Sequence, residues 1–531
     1  MKKRYITGLM AIVLSILTSC TDNFENINSN PNNAEVVKTY GIYNHATKSL
    51  VGENIRGSFQ SARLALPWVQ YSAQRNYTEE DRYQYRQTSP GSLFNAYYLQ
   101  ANNFKKIIEY CTDPVLIQDV VLYGNLDNQI AASRIFLAYT FQNLADTFGD
   151  VPYWSYGNQD PDFQALDITN LSPKYATQEK IYTDILKELE EAADMIDLND
   201  RIFYDDESFI NENVFGNDPL KLQKFANSLR LRIATRLKNS PLSSLAQYHI
   251  TDAINDGVMT SNNDSVGIKF ENNSVNPAPQ YTAFIIDART DYTVNKTFVD
   301  LLKGNIASTN TSADPRLQKM VAPKGVGKQT IVSNNYTESS NLNNYEGMPF
   351  GVPSVNTASQ RSGASLFGYN VMRADYTEYM MEYSEVEFLL SEANGWDQIN
   401  YENGVRASMQ KWGVSQSNID LYIPTLPPAN QENVINQKYI ALFMQPFEAW
   451  AEYRRTGFPT FLIKPGDTVN LINPINGSMT LTFQPLENIT DLPTRIKYPY
   501  TEVTLNGSNY QAASARMGGD NLDTKLIWDT N

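Results

Sequence analysis

The sequence contains very few of the side chains on which most enzymes depend. Its 531 residues include only two cysteines and two histidines, and they contain neither an HExxH nor a CxxC motif. Composition therefore argues against a zinc site and against Ser-His-Asp catalysis. We predict that the chain holds no metal and no cofactor, and that Cys111 is a small buried apolar residue.

Cations and long apolar runs are also scarce. Acidic residues outnumber basic ones by 58 to 43, which gives a net charge of −15. Such a surface repels the phosphate backbone of nucleic acids, so nucleic acid is not an expected partner. The one marked apolar run, from Ile6 to Leu17 after Lys2-Lys3-Arg4, is too short to cross a bilayer and is typical of a secretory signal.

The end of this run, Leu17-Thr18-Ser19-Cys20, is similar to the lipobox of bacterial lipoproteins, in which the cysteine sulfur is acylated. The alternative is an ordinary cleaved signal peptide. We predict a lipoprotein signal peptide over residues 1–19 and a lipid anchor of the palmitate type on Cys20, which ties the protein to the membrane. Residues 20–40 are rich in Asn and Asp and have little to bury, so we predict a flexible tether there.

Apolar residues recur every three or four positions in several stretches, which predicts a mainly α fold. Pro446 is expected to kink or divide the last helix. The predicted helices cover residues 129–148, 177–196, 220–238, 379–395, 405–412 and 434–455.

The stretch between Ser261 and Glu378 alternates loop compositions with short β-prone runs, and LINPINGSMTLTF near the C-terminus predicts a β-hairpin. We expect one domain over residues 41–531. Its predicted parts are a helical scaffold at about 41–260 and 379–460, a loop-rich ligand-facing region at about 261–378 and an irregular part at 461–531.

A series of motifs carries a family resemblance. In chain order, Cys20 is followed by FQNLADTFGDVPYW, SADPRL, YSEVEFLLSEANGW, KYIALFMQPFEAWAEYRRTGFP, RIKYPYTEVTLNGSNY and LIWD. This combination resembles the SusD/RagB family of outer-membrane nutrient-binding lipoproteins over nearly the whole chain. The resemblance implies a SusD-like fold, in which helical hairpins of the tetratricopeptide type form a scaffold with long loop insertions and minor β-hairpins.

The same resemblance implies a function. Such a protein is not an enzyme, is lipid-anchored in the outer membrane and faces the cell exterior. It binds an oligosaccharide or other glycan and delivers it to a SusC-like TonB-dependent transporter.

Candidate ligand contacts come from residues 67–85 and from the loop-rich region. A sugar ring presents C–H groups on its face and hydroxyls at its edge, so aromatic side chains with amide or Arg neighbours suit it. The alternative for residues 67–85 is a half-buried helix and its following loop. The predicted ligand-binding residues are Trp68, Tyr71, Gln74, Asn76, Tyr77, Tyr83, Tyr281, Arg289, Tyr345, Arg361, Phe367 and Tyr369.

The charged cluster of Glu448, Arg454 and Arg455 around Trp450 is expected to be structural. Charged residues are rarely buried unless they are paired, and this cluster lies on a helix with apolar neighbours. We therefore predict a buried network that holds helices together. The segment Asp314-Pro315-Arg316 is expected to shape its loop.

Three other functions stay open on the sequence. Capture of peptides by a member of the same family is the nearest, because the loop-rich region has Arg and acidic residues that could hold peptide termini. A surface glycoside hydrolase would need paired carboxylates, and Glu385, Glu387 and Glu392 lie too near core positions for that role. A structural helical-repeat adaptor would bind a partner protein and no small ligand.

Overall fold

A computed structural model describes residues 38–204, 214–215, 217–472 and 479–530. The predicted signal peptide, the lipidation site Cys20 and the tether up to residue 37 lie outside the described residues. Helix α1 begins at Thr39, whose hydroxyl donates a hydrogen bond to Gln129 Oε1 over 2.5 Å. The folded part therefore includes residues 39 and 40, which we had predicted as tether.

Helices dominate the regular structure. The longest, α2, has 25 residues, and it was not predicted. The helices of seven or more residues are α1 (Thr39–Ser49), α2 (Thr88–Thr112), α3 (Leu126–Phe148), α4 (Gln178–Met195), α5 (Pro219–Leu237), α6 (Ser243–Asp256), α7 (Lys296–Leu302), α8 (Tyr383–Ala393), α9 (Gln398–Lys411), α10 (Gln416–Tyr422), α11 (Gln431–Ala441), α12 (Pro446–Thr456) and α13 (Gly507–Arg516).

The ends of the first long helices follow from the local sequence. The side chains of Asn125, Thr177 and Asp218 accept hydrogen bonds from backbone N–H groups in the first turns of α3, α4 and α5. Pro219 occupies the first position of α5, where its missing N–H costs nothing. Gly149 ends α3 at φ 88°, a conformation that favours glycine. The predictions of these three helices are confirmed.

Most of the helices pack around one large apolar core, and a smaller second apolar cluster lies between α8, α9 and α11. Helix α3 packs between α2 and α4, α5 packs against α4 and α6, and α8 packs against α9 and α11. Helix α5 also contacts α8. The helices before and after the loop-rich region therefore share one core, which keeps the loops between them on a common support.

In the second half of the chain, three predicted helices differ from the observed helices in their boundaries. Pro446 divides the predicted helix 434–455 into α11 and α12, as expected for a residue that lacks an N–H donor. The helix predicted from Tyr379 begins instead at Tyr383, because Tyr379 lies in a β-strand. The helix predicted over 405–412 is longer and begins at Gln398.

Three antiparallel strand pairs join distant loops. Strand β1 (Ser72–Gln74) pairs with β3 (Tyr292–Val294), β2 (Val266–Lys269) with β4 (Thr377–Met381), and β5 (Thr468–Asn470) with β6 (Thr480–Thr482). The last pair is the predicted hairpin, whose residues 473–478 lie outside the described residues. The first pair brings the segment after Trp68 next to the loop-rich region, where the other predicted ligand-binding residues lie.

A network of buried ion pairs links the helices through the core. Arg232 pairs with Glu385 over 2.5 Å, Arg236 with Asp146 and Glu448, and Arg455 with Glu392 and Glu452. The guanidinium of Arg454 lies 3.5 Å from the centroid of the Trp450 ring. The predicted structural network is therefore confirmed.

The two other side chains predicted to be structural are also explained by burial. Arg316 forms an ion pair with Asp314 over 2.6 Å and donates a hydrogen bond to Ser408 Oγ over 2.9 Å, so this loop is tied to α9. Cys111 is buried, and burial raises the pKa of its thiol to about 12. No helix within the described residues has the length and apolar character needed to cross a membrane.

Candidate functional site

Several of the predicted ligand-binding side chains are part of the core. Trp68 packs against Trp450 with ring centroids 5.1 Å apart, and the Tyr71 hydroxyl donates to the backbone oxygen of Tyr439. Gln74 Nε2 donates to the backbone oxygen of Ala62 over 2.9 Å. These side chains are covered by residues far along the chain, so they present no face to a ligand.

Three further predictions are corrected in the same way. Tyr83 packs against Phe483 at a centroid distance of 5.4 Å, and Phe367 packs against Phe284 at 5.8 Å. The Tyr345 hydroxyl accepts a hydrogen bond from Ser339 N over 2.8 Å, while its side chain is buried. Burial of apolar surface accounts for the placement of these six side chains. Most of them lie beneath the loops and support the loop conformation.

Four other predicted residues meet at one surface. Arg361 Nη1 donates a hydrogen bond to Asn76 Oδ1, and the backbone N–H groups of Arg75 and Asn76 both donate to the backbone oxygen of Asp291. Arg289 pairs with Asp291 over 2.7 Å. We call this patch the Asn76 surface and define it by Arg75, Asn76, Tyr77, Arg289, Lys328 and Arg361.

Tyr77 is the open aromatic side chain of the Asn76 surface. It is 65% exposed, although tyrosine rings are usually at least half covered. Its backbone has φ 55°, a left-handed conformation that costs a residue with a Cβ about 1 kcal/mol. The chain thus holds an exposed aromatic ring in a strained position, which is typical of a binding loop.

The β1–β3 pair and three side-chain contacts hold this surface in place. Asp81 Oδ2 accepts a hydrogen bond from Gln74 N over 2.8 Å and so closes the loop that carries Tyr77. The Thr78 and Ser354 hydroxyls are 3.2 Å apart. Gln360, next to Arg361, donates to the backbone oxygen of Ile472 over 3.1 Å, which ties the short helix Thr357–Arg361 to the region of β5.

Positive charge is concentrated at the Asn76 surface. Lys328 Nζ donates to the backbone oxygens of Phe284 and Arg289, both over 2.8 Å. Burial lowers the pKa of Lys328, and the nearby charge of Arg75 lowers it further, while the Asp291 carboxylate acts in the opposite direction. Burial and the charge of Arg361 likewise lower the pKa of Arg75. The cations are therefore close enough to repel one another.

Phe59 lies beside this surface and was missed by sequence reasoning. The Arg289 guanidinium carbon is 4.1 Å from the centroid of the Phe59 ring, and that of Arg63 is 4.5 Å away. Phe59 is partly exposed. Its position between two arginines from different segments depends on the fold, and the sequence carries no pattern that reveals it.

A cavity of about 960 Å³ lies next to the Asn76 surface. The short helix Lys328–Val332 contacts the elements on both sides, with Lys328 at the Asn76 surface and the following residues at the cavity. We call it the Tyr336 cavity; it is lined by Lys269, Lys319, Asn334, Tyr336, Thr337, Glu338, Tyr369, Asn370, Arg373, Asp375, Tyr376, Thr377, Tyr379, Lys411, Trp412 and Gly413.

Among the predicted ligand-binding residues, Tyr369 lines the Tyr336 cavity. Its backbone N–H donates to the Tyr336 hydroxyl over 3.1 Å. Tyr281, the last predicted residue, is half-buried at the end of the short helix Pro279–Tyr281 and lines neither the cavity nor the Asn76 surface. The predicted residues therefore separate into a buried set, a group of four at the Asn76 surface, and these two tyrosines.

The charges of the Tyr336 cavity are mostly paired. Lys319 pairs with Glu338 over 2.8 Å, and Arg373 Nε donates to Asp375 Oδ1 over 2.5 Å. Lys411 pairs with Glu382, just outside the cavity, over 3.0 Å. The cavity lining thus has four cations and two carboxylates, and among the described residues Lys269 is the cation there with no carboxylate within ion-pair distance; the rest of the wall offers tyrosine rings and amides.

Both places offer groups that can hydrogen-bond to or stack on a polar ligand. The Asn76 surface combines an aromatic ring, an amide and guanidinium groups, which suit a polar ring-shaped ligand. Of the three helix carboxylates considered for hydrolysis, Glu385 and Glu392 pair with arginines in the core, and Glu387 accepts hydrogen bonds from Tyr383 and Asn400. Within the described ranges, no group of three or more His, Cys, Asp or Glu side chains is placed to hold a metal ion.

Comparison with known proteins identifies the family and the fold of this chain. A SusD-like family profile, described as "Starch-binding associating with outer membrane", matches residues 31–483. Because this match covers well over half of the sequence, the chain belongs to this SusD-like family. No curated protein sequence matches the chain significantly.

Solved structures share the fold over almost the full length. A chitin-binding protein is 24% identical, with a TM-score of 0.71 over 93% of this chain and 100% of that one. A SusD homologue from Parabacteroides distasonis is 21% identical, with a TM-score of 0.72 over 93% and 98% of the two chains. A chitin-binding SusD homologue from Flavobacterium johnsoniae is 21% identical, with a TM-score of 0.67 over 93% and 99%. At these identities the likeness establishes the helical SusD-like fold, as predicted.

Proposed function

We propose that this chain is a lipid-anchored protein of the outer membrane that binds oligosaccharides at the Asn76 surface and passes them to a SusC-like TonB-dependent transporter. The observation that carries the proposal is the exposed ring of Tyr77, which directly follows Asn76 in the chain, together with the hydrogen bond that joins Asn76 to Arg361. An aromatic ring stacks on the C–H face of a sugar, while an amide and a guanidinium reach its hydroxyls.

The family supports the same function from a different direction. Its description names starch binding and association with the outer membrane, and two solved relatives are named as chitin-binding. Starch is a glucan and chitin is an amino-sugar polymer, so the property that these names share is recognition of a saccharide chain. The proposal for this chain is accordingly a glycan and not one particular sugar.

Calorimetric titration of the purified protein against panels of neutral, amino and acidic oligosaccharides tests the binding role. We expect saturable binding to at least one class, since the surface is preformed. A second panel of peptides of mixed charge serves as the comparison. Binding to peptides with no response to any saccharide would contradict the proposal and favour the peptide-binding alternative.

The anchor and the transporter need their own experiments. We expect labelled palmitate to enter the wild-type protein expressed in a lipoprotein-competent bacterium and not the Cys20→Ala variant. We further expect an outer-membrane barrel protein to be retained when the anchored protein is extracted gently and captured. Label in the Cys20→Ala variant would contradict the anchor, and recovery of the protein alone would contradict the transporter complex.

A further inference from the structure

The Asn76 surface gathers three cations that have no carboxylate partner. Among the described residues, no Asp or Glu oxygen lies within ion-pair distance of Arg75, Lys328 or Arg361. Their side-chain hydrogen bonds go instead to the backbone oxygens of Phe284, Arg289 and Arg361 and to the Asn76 amide. The neighbouring cations differ, because Arg289 pairs with Asp291 and Arg86 with Glu80, each over 2.7 Å.

This concentration of positive charge stands out in a chain with a net charge of −15. Arg75 donates a hydrogen bond to the backbone oxygen of Arg361 over 3.2 Å, so the two residues are close neighbours. Like charges at such a distance raise the free energy of the unliganded surface. An anion placed among them would remove that repulsion and gain charge-assisted hydrogen bonds.

Arg361 is the residue best placed to hold the anion. Its guanidinium has five N–H donors, and one nitrogen is already fixed by the Asn76 amide oxygen. That contact orients the planar group and leaves donors on the other nitrogens. A fixed guanidinium binds a carboxylate or sulfate through two parallel hydrogen bonds, a geometry that a lysine does not provide.

Building on the proposed function, we infer that the Asn76 surface recognises acidic oligosaccharides, in which a uronate carboxylate or a sulfate group binds Arg361, flanked by Arg75 and Lys328, while a sugar ring stacks on Tyr77. The Tyr336 cavity supplies the contrast, because Lys319, Arg373 and Lys411 are paired with carboxylates there. The cavity cation without such a partner among the described residues is Lys269, whose ammonium cannot form the two parallel hydrogen bonds that the Arg361 guanidinium offers at the Asn76 surface.

Matched probes test this inference. The full mature protein is titrated with a panel of uronate-containing and sulfated oligosaccharides, each beside its carboxyl-reduced or desulfated counterpart. At least one acidic member is expected to bind tenfold or more tightly than its neutral counterpart at low salt. The advantage is expected to shrink as salt rises from about 0.05 to 0.5 M, because added ions screen exposed charges.

Variants locate the effect. Arg361→Gln is expected to weaken binding of the acidic probe at least tenfold and that of the neutral counterpart less than twofold, while Arg361→Lys falls between. Lys187→Gln, which removes an exposed cation of α4 outside both the Asn76 surface and the Tyr336 cavity, is the matched control and is expected to change neither affinity. Thermal unfolding of each variant confirms that it is folded.

The outcomes separate the inference from the function on which it rests. Equal affinity for acidic and neutral probes, or an equal loss of both in Arg361→Gln, overturns the acidic ligand and leaves glycan binding intact. Displacement of the acidic saccharide by an acidic peptide of equal or higher affinity overturns it in favour of peptide capture. Failure of every saccharide to bind overturns the proposed function itself.

Discussion

The buried ion-pair network and the Asn76 surface use the same side chains in opposite ways. In the core, Arg232, Arg236 and Arg455 each contact at least one carboxylate. At the Asn76 surface, the side-chain hydrogen bonds that Arg75 and Arg361 form with described residues go to a backbone oxygen and an amide, and none goes to a carboxylate. An arginine whose charge is already neutralised stabilises the fold, whereas one whose charge is left free is available to a ligand.

This difference separates positions that set stability from positions that set binding. Buried ion pairs are costly to break, because removal of one partner leaves the other charge uncompensated. A surface arginine without an anion costs little to remove, because water solvates what remains. We therefore expect that variants of the core arginines lower the stability of the fold, and that variants of the Asn76 surface weaken ligand binding.

The largest expected effect is the loss of a core arginine. Arg236→Met should lower the free energy of unfolding by about 3–5 kcal/mol, because Asp146 loses its buried ion-pair partner and Glu448 keeps the longer contact with Arg232 at 3.6 Å. Urea denaturation measures this change. Lys106→Met, which removes an exposed pair with Glu109, is the control and should cost less than about 1 kcal/mol. A loss of unfolding free energy in Arg236→Met no larger than that in Lys106→Met would contradict the proposed difference between core and surface arginines.

The second effect concerns a buried carboxylate that departs from the paired pattern. Burial raises the pKa of Glu378 from its ordinary value of 4.5 to about 7, and its Oε1 has no hydrogen-bond partner among the described residues. Between these two pH values the folded protein keeps a proton that the unfolded chain releases, so stability falls as the pH rises through this window.

Replacement of Glu378 should therefore stabilise the protein at high pH only. We expect Glu378→Gln to raise the free energy of unfolding by about 2 kcal/mol at pH 8, where the wild-type carboxylate is ionised, and to leave it unchanged at pH 4. Urea denaturation of the variant and the wild type at both pH values measures this difference in unfolding free energy. A variant that is less stable than the wild type at pH 8 would mean that Glu378 is a satisfied anion beside Arg56.

A smaller effect is expected from the exposed ring. Tyr77→Ala should weaken binding of both acidic and neutral oligosaccharides about tenfold, since stacking does not depend on charge. Its unfolding free energy should change little, because the side chain is exposed. Tyr500→Ala removes a tyrosine of similar exposure far along the chain and should leave affinity unaltered. Equal losses in the two variants would remove Tyr77 from the site.

The smallest effect is expected in the Tyr336 cavity. Arg373→Gln disrupts the pair with Asp375 at a partly exposed position. Ligand affinity measured by calorimetry should stay within about twofold of the wild type, because a partly exposed pair contributes little energy. A loss larger than that of Tyr77→Ala would move the main binding site from the Asn76 surface into the cavity.

The helical scaffold could be predicted where the apolar period was undisturbed and a cap was present. Helices α3, α4 and α5 have both features, and their predicted bounds hold to within a few residues. Helix α2 was missed although it is the longest, because Ser89-Pro90-Gly91 resembles a loop and Tyr, Asn and Gln interrupt its apolar period. The packing that selects the helix there is tertiary.

The site could be predicted only in part, because exposure depends on contacts across the whole chain. Tyr71 and Tyr77 are alike in the sequence and lie six positions apart. Tyr71 is covered by Tyr439, which follows it by 368 residues, whereas Tyr77 remains exposed. The chemistry of the segment was visible in its residue types, but the identity of its open ring was set by the fold.

The most direct test of the central claim is a crystal structure of the protein soaked with the oligosaccharide that binds most tightly in the titrations. We predict a sugar ring stacked against Tyr77, with the polar groups of the saccharide within hydrogen-bond distance of Asn76 and Arg361. A saccharide bound only in the Tyr336 cavity, with the Asn76 surface unoccupied, would contradict it.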